Sequence, residues 1–186
     1  TPSFLMAPAK LRWLQHHRYD AYKQIAVVLP LADWIIHKLS GTISSEPSLA
    51  AEVGLLDIAT RNWCNELLST LGVRQNTDVS LATAGTIVGN VSESVTEETG
   101  LPTDAYVVVS GADTQCGLLG MGIIHAGQVG IVAGWSIPLQ LVTTKPILSL
   151  EARTWASCHL PDNLWTLESS AGDAGNSYRW LANTFY

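Results

Sequence analysis

A short apolar run followed by a tight turn and a helix constrains the fold of this chain more than any other feature of the sequence. The run Tyr106–Val109 is apolar at every position, as expected of a parallel strand buried on both faces. Gly111 and Ala112 follow it, and residues 114–124 carry apolar side chains at helical spacing. This order is typical of an α/β protein, whose ligands bind at the carboxyl ends of the strands. Asp113 lies at that position.

The composition excludes two broad classes of protein. Of the 186 residues, 47% are hydrophobic and 14% are charged, whereas disordered chains combine low hydrophobicity with high net charge. No run approaches the roughly 18 apolar residues of a membrane span. We therefore expect a soluble globular protein without a membrane partner, long enough for one domain or for parts of two.

The net charge of −6 is unevenly distributed along the chain. Residues 1–38 contribute +3, residues 39–113 contribute −8 and residues 114–186 contribute −1. A protein that binds nucleic acid through phosphates needs a basic stripe, and the sequence has none. We therefore expect no nucleic-acid partner.

The cysteines and histidines favour a reduced protein without a metal site. The three cysteines are odd in number and widely spaced, which indicates free thiols in a cytoplasmic protein. The adjacent pairs His16-His17 and Cys158-His159 lack the spaced partners that a zinc site requires.

Helices dominate the predicted elements before residue 125. The spacing of apolar residues predicts helices over Lys10–Ile25, from Pro30 to a stop at Gly41, over Trp63–Leu71 with Asn62 as a cap, and over Ser92–Thr99.

Hairpins follow these helices. Residues 128–133 and 139–143 are predicted strands around the turn Gly134-Trp135-Ser136, and residues 155–159 and 164–167 form a second pair. The last predicted element is an amphipathic helix over Ala174–Phe185. The change of pattern places a boundary near residue 126.

Asp113 is the strongest candidate for chemistry. A carboxylate at the end of a strand, after two small residues, is placed to accept a proton from a substrate hydroxyl. The alternative is a capping role at the start of the following helix, and the residues alone leave both open. Gly134 and Ser136 form a second candidate, because the N–H groups of small turns can bind phosphate.

A series of short motifs occurs in the same order in one known family. They are residues 10–14 (KLRWL), 31–34 (LADW), 39–41 (LSG), 56–63 (LDIATRNW), 99–102 (TGLP) and 107–115 (VVVSGADTQ). With these motifs the chain resembles the FGGY carbohydrate kinases, which phosphorylate a hydroxyl of a small sugar or polyol with ATP.

The resemblance implies a fold and a division into domains. The fold is α/β, with actin-like ATPase (ribonuclease H-like) domains of which only part of each is present. Residues 1–126 would be the second part of the N-terminal, sugar-binding domain. Residues 127–186 would be the first part of the C-terminal, ATP-binding domain.

The resemblance also implies roles for individual residues. Asp113 matches the general base that contacts the sugar, and Gln115 is a further sugar contact. Gly134, Trp135 and Ser136 match the turn that approaches the phosphates of ATP, which acts together with Mg²⁺. The expected partners are a sugar or polyol and ATP, with a homodimer as a further option.

Two departures from the family pattern limit this expectation. Trp135 stands where the family has threonine, which leaves open a non-catalytic sugar-binding or regulatory relative in which the ring blocks ATP. The Asp-x-Gly-Thr loop at which the family begins has no counterpart in the sequence. We therefore expect a middle fragment that is inactive alone.

Overall fold

The computed structural model describes residues 6–72, 79–149, 151, 153–170 and 172–186. These residues pack into two compact units, of which the first extends to Gly111 and the second comprises Ala112–Tyr186. The domain boundary expected near residue 126 stays a prediction. No helix in the described part of the chain is both long and apolar enough to cross a membrane.

The first unit alternates short helices with very short strands. Its helices are α1 (Ala7–His17), α2 (Tyr19–Lys23), α3 (Leu31–Ser40), α4 (Pro47–Glu52), α5 (Asn65–Thr70) and α6 (Glu93–Thr99). Its strands are β1 (Ser44–Ser45), β2 (Leu56–Asp57), β3 (Asn62–Trp63), β4 (Ser80–Leu81), β5 (Ile87–Asn90) and β6 (Tyr106–Val108). They form three pairs, of which β1 with β4 is parallel and β2 with β3 and β5 with β6 are antiparallel.

Helix α3 begins and ends where the sequence predicts. Pro30 precedes its first residue, and Gly41 follows its last residue with a φ of 76°, a left-handed conformation that glycine adopts without steric cost. The Gly41 N–H donates to the His37 carbonyl and closes the last turn. On its inner face, Ile36 packs in one cluster with Val91, Val107 and Val109.

Two helix predictions in the first unit need correction. The helix predicted over Lys10–Ile25 is interrupted at Arg18, which separates α1 from α2. Asn62 does not cap a helix, because it lies in β3 and pairs with Asp57 of β2. The hairpin is set by the Asp57 side chain, which accepts hydrogen bonds from the Ala59 N–H and the Thr60 hydroxyl and turns the chain back.

The prediction of a parallel strand buried on both faces at residues 106–109 is wrong. Strand β6 pairs antiparallel with β5, and within the described residues only one of its faces is covered. Val107 and Val109 are buried under α3, whereas Tyr106 and Val108 remain 68% and 43% exposed. In residues 106–109, an apolar residue at every position therefore does not mean that both faces of the strand are buried.

The second unit is built on a four-stranded antiparallel sheet. Its elements are α7 (Asp113–Gly120), β7 (Val129–Ile131), β8 (Pro138–Thr143), β9 (Trp155–Cys158), β10 (Trp165–Ser170) and α8 (Ala174–Phe185). The strand order is β7-β8-β10-β9, and the antiparallel pairs β7-β8 and β9-β10 confirm both predicted hairpins. Helix α8 confirms the predicted last helix. Helix α7 packs closely on β7, since a Cβ at Gly130 would lie 2.3 Å from Leu118 Cδ2.

Candidate functional site

All five residues predicted for the site lie in the second unit. Asp113 and Gln115 belong to α7, and Gly134, Trp135 and Ser136 form the turn between β7 and β8. The base candidate and the phosphate turn therefore lie in one compact unit.

Asp113 is the first residue of α7 and its side chain is exposed. Ala112 occupies the capping position, with extended backbone angles, so that Asp113 is not the capping residue that the alternative interpretation proposed. Among the residues that the structure describes, hydrogen bonds reach only Oδ1 of Asp113, from the Thr114 N–H at 2.7 Å and the Thr114 hydroxyl at 3.2 Å. Oδ2 takes part in neither bond, so the carboxylate is fixed at one oxygen and available at the other.

Gln115 is in a very different environment from Asp113, although only two residues separate them. Its side chain is fully buried, on the face of α7 that also carries Leu118. Neither its amide oxygen nor its amide nitrogen has a hydrogen-bond partner among the described residues. Buried polar atoms are nearly always paired, so this amide has unused capacity to donate and to accept hydrogen bonds.

The turn at residues 134–136 is open and rich in free donors. Around Gly134 there is empty space where a Cβ would be, and the Trp135 ring is 64% exposed. In the part of the chain that the structure describes, the N–H groups of these three residues donate no hydrogen bond. Successive free N–H groups in a turn form a concave site that favours anions.

A buried carboxyl cluster in the first unit was not predicted from the sequence. Asp33 on α3 and Glu46 at the start of α4 are both fully buried, together with Ser45 and Ser48. The Ser45 hydroxyl donates to Asp33 Oδ2, and Glu46 Oε2 accepts hydrogen bonds from the Ser48 hydroxyl, from the Ser48 N–H at 2.7 Å and from the Leu49 N–H at 3.3 Å. The cluster therefore joins α3, β1 and α4.

Burial dominates the electrostatics of this cluster. It raises the pKa of Asp33 to about 6; the hydrogen bond from Ser45 opposes this rise and the nearby charge of Glu46 adds to it. Burial also raises the pKa of Glu46, against the hydrogen bonds from Ser48 and Leu49. One signal for this site was present in the sequence, because Glu46-Pro47 is typical of a helix start with proline in the first turn.

Neither a metal cluster nor a disulfide is found among the described residues. No group of three or more His, Cys, Asp or Glu side chains comes together there. Cys64, Cys116 and Cys158 are free thiols.

Comparison with a family model matches residues 3–120 to the FGGY family of carbohydrate kinases, N-terminal domain. Among curated proteins, an autoinducer-2 kinase of Yersinia pestis is 34% identical over 183 residues. That alignment covers 97% of this chain and 34% of the relative, so the chain spans about a third of the length of the relatives it matches.

Solved structures agree with the family model. The xylulose kinase from Rhodospirillum rubrum superimposes with a TM-score of 0.82 at 24% identity, covering 98% of this chain and 37% of that structure. The ligand-bound xylulose kinase from Lactobacillus acidophilus gives a TM-score of 0.85 at 18% identity, covering 97% and 37%. The predicted fold class, α/β with actin-like ATPase architecture, is therefore confirmed.

Proposed function

Because this chain belongs to the FGGY family of carbohydrate kinases, we propose that the protein transfers the γ-phosphate of ATP to a hydroxyl of a small sugar or polyol. The chain spans about a third of the length of its relatives, so the proposal concerns the longer protein of which this chain would be the middle section. The observation that carries it is the exposed carboxylate of Asp113, which is fixed at Oδ1 and free at Oδ2.

Asp113 acts as the general base in this proposal. As the sugar oxygen attacks the γ-phosphorus, Asp113 Oδ2 takes the hydroxyl proton, and the bond between the γ-phosphorus and the bridging oxygen of ATP breaks. ADP leaves with that electron pair. Phosphoryl transfer depends mainly on the positioning of the reactants and on neutralisation of charge. At the sugar hydroxyl, one correctly placed base is therefore the only chemical group that the protein has to supply.

The turn at residues 134–136 receives the phosphates of ATP. Its unused N–H groups and the empty space at Gly134 fit an anionic group. Mg²⁺ bound with ATP supplies positive charge at the phosphates. The second unit offers few cations of its own, because residues 112–186 carry three basic and five acidic side chains.

The substrate class follows from the named relatives. Autoinducer-2 is the first acceptor to test, because the autoinducer-2 kinase from Yersinia pestis is 34% identical, and xylulose is the second. The family resemblance makes Gln115 a further sugar contact in this proposal, and its amide has no partner within the described residues. Because the side chain is fully buried, the sugar reaches it only if the cover over this face of α7 moves.

The test is a coupled assay for ADP release by the full-length protein with each acceptor. We expect acceptor-dependent ADP release, and an absence of release with every sugar and polyol in the panel would contradict the proposal. The present chain alone is expected to be inactive with the same acceptors. Turnover by this chain would contradict the fragment interpretation but not the kinase.

The domain division rests on the same proposal. Residues 1–126 form the second part of the sugar-binding domain and residues 127–186 the first part of the ATP-binding domain. A cytoplasmic location fits the three free thiols, and a homodimer is our working hypothesis for the oligomeric state, to be measured by light scattering.

A second candidate function is a non-catalytic sugar-binding or regulatory relative. The large exposed ring of Trp135, in a turn that should receive phosphate, is the observation that favours it. Calorimetric titration of the full-length protein with MgATP and with a non-hydrolysable analogue separates the two functions. Binding of both supports the kinase, whereas sugar binding without nucleotide binding supports the alternative.

A further inference from the structure

Helix α7 and strand β7 are in close contact, and each contributes a glycine to that contact. On β7, a Cβ at Gly130 would lie 2.3 Å from Leu118 Cδ2 of the helix. On α7, a Cβ at Gly117 would lie 3.2 Å from Val132 Cγ2. Neither glycine has a positive φ, so the backbone alone would accept another residue at both positions. The need for glycine at residue 130 therefore comes from the closeness of the helix.

Side-chain rotation does not relieve the overlap at Gly130. Non-bonded carbon atoms lie about 3.5–4.0 Å apart, so an added Cβ requires a movement of more than about 1 Å from Leu118. Leu118 is fully buried, which restricts its rotation. The same Cβ would also lie 3.3 Å from Met121 Cε and 3.4 Å from Ile123 Cγ1. A larger residue at position 130 therefore pushes α7 away from the sheet.

The segment that follows α7 is held in place by two side chains. The amide oxygen of Gln128 accepts hydrogen bonds from the N–H groups of residues 124 and 125, at 2.8 and 2.7 Å. The buried His159 ring donates from Nε2 to the Ile123 carbonyl at 2.8 Å. A helix that is tethered at its C-terminal end responds to such a push by tilting. The displacement is then largest at its first residue, Asp113.

We infer that Gly130 is a positioning residue for the base, because its lack of a side chain lets α7 lie at the distance from β7 that places Asp113 for proton transfer. The inference rests on the proposed function of Asp113. A misplacement of about 1 Å can cost roughly 100-fold in rate, and the displacement expected from a Cβ at residue 130 is of that size. Gly130 itself touches no reacting atom in this role.

The test is Gly130→Ala in the full-length protein. We expect kcat to fall by roughly 10- to 100-fold, because the base is displaced from the sugar hydroxyl. The KM for MgATP and the KM for the sugar should stay within twofold of the wild-type values. Steady-state kinetics measures all three.

Two double variants separate a positioning role from a loss of folded protein. In the Asp113→Asn background, Gly130→Ala should leave the residual rate unchanged, because no base is left to misplace. A loss of folded protein would instead lower that rate by the same factor as in the wild-type background. Leu118→Ala removes the atom that overlaps, so Gly130→Ala combined with it should have a kcat within about threefold of Leu118→Ala alone.

Gly120→Ala is the matched control. Gly120 lies in the same helix, and a Cβ there meets nothing within 4 Å, so this variant should behave as wild type. Gly117→Ala is a milder second variant, because its contact with Val132 requires a shift of only a few tenths of an ångström. Alanine favours the helix, so this variant should fold and should lower kcat about threefold.

The outcomes distinguish this inference from the proposed function. If Asp113→Asn keeps activity within tenfold of wild type, the assignment of the base fails and the inference fails with it. If Asp113 is the base and the kcat of Gly130→Ala stays within twofold of wild type, only the inference is overturned. An equal reduction by Gly130→Ala with and without Asp113 overturns it as well. Should Gly130→Ala fail to fold, an unchanged kcat in Gly117→Ala overturns the inference.

Discussion

Asp33 and Asp113 both lie in the first turn of a helix, yet the two units of the molecule place them in opposite environments. Asp33 is fully buried in the first unit and accepts a hydrogen bond from Ser45, twelve residues along the chain. Asp113 is exposed in the second unit, and among the described residues its carboxylate accepts hydrogen bonds from Thr114 alone, at one oxygen. A carboxylate near a helix N-terminus is favoured in both positions, so the helix does not explain the difference.

The difference lies in what each carboxyl group can exchange with its surroundings. The Asp33 carboxyl is enclosed by protein, so a substrate hydroxyl cannot reach it without local unfolding. Asp113 can meet a ligand and can return its proton to water. Asp33 and Asp113 are thus the same residue type, and both lie in the first turn of a helix. Asp33 holds elements of the fold together, whereas Asp113 is available for proton transfer.

Replacement of Asp113 gives the sharpest separation of the two roles. Asp113→Asn in the full-length protein should reduce phosphoryl transfer roughly 10³-fold, because an amide cannot take the hydroxyl proton. Sugar binding and the unfolding temperature should stay unchanged, since the side chain is exposed and its bonds are local. Steady-state kinetics and calorimetry measure both.

The matched control for this experiment is Asp104→Asn, at another exposed aspartate. It should leave activity unchanged. Activity of Asp113→Asn within tenfold of wild type would remove Asp113 as the base and with it the contrast with Asp33.

Replacement of Asp33 should show the opposite pattern. Asp33→Ala leaves the buried Ser45 hydroxyl without its acceptor and creates a cavity, which should lower the free energy of unfolding by about 2–4 kcal/mol. The KM values of the remaining folded protein should not change. Urea unfolding followed by circular dichroism measures the loss, and a selective rise in the KM for the sugar would show that the buried cluster also shapes the substrate site.

The pH dependence of stability sharpens the comparison further. The pKa of Asp33 rises from its ordinary value of 3.8 to about 6 in the folded protein, so the native state retains a proton that the unfolded chain has lost. Stability from this group is therefore greatest below about pH 4 and falls as the pH rises to about 6, by on the order of 3 kcal/mol. Glu46, whose pKa is also raised by burial, acts in the same direction.

Asp33→Asn removes this titration while it keeps an acceptor for Ser45. The decrease in unfolding midpoint between pH 4.5 and pH 7 should be smaller in this variant than in the wild type. Asp20→Asn, at an aspartate whose side chain is 93% exposed, is the control and should follow the wild-type curve. Identical pH profiles for Asp33→Asn and the wild type would show that Asp33 is ionised in both the folded and the unfolded protein at every pH in this range.

Local signals account for the parts of the fold that were predicted correctly. Pro30 and Gly41 mark the ends of α3, and alternating strands around short turns define the hairpins of the second unit. The errors arise where a contact distant in sequence or a side-chain bond decides the outcome. Asp57 turns β2 back onto β3, and the cover over β6 depends on α3, which lies far upstream.

The candidate site likewise has features that could be predicted from the sequence and features that could not. The position of Asp113 between a strand and a helix is visible in the sequence, and the structure makes it the exposed first residue of α7. Its role as the base stays a prediction. The burial of Gln115 was not visible, because α7 packs on a strand that occurs later in the chain. The Asp33 cluster was missed because Asp33 and Glu46 come from different elements and meet only after folding.

Ser45→Ala tests whether the environment of Asp33, rather than its helix position, sets its behaviour. The variant removes the hydroxyl that donates to Asp33 and should cost about 1–2 kcal/mol of stability at pH 7, where the carboxylate would lose a charge-assisted bond. This hydrogen bond lowers the pKa of Asp33, so its removal raises that pKa further. The loss should therefore be smaller at pH 4.5, where the folded protein already holds Asp33 protonated.

Ser94→Ala, at an exposed serine of α6, should have almost no effect at either pH. An equal loss for Ser45→Ala at both pH values would mean that the hydroxyl contributes through packing alone, and the contrast between the two aspartates would then rest on exposure rather than on charge.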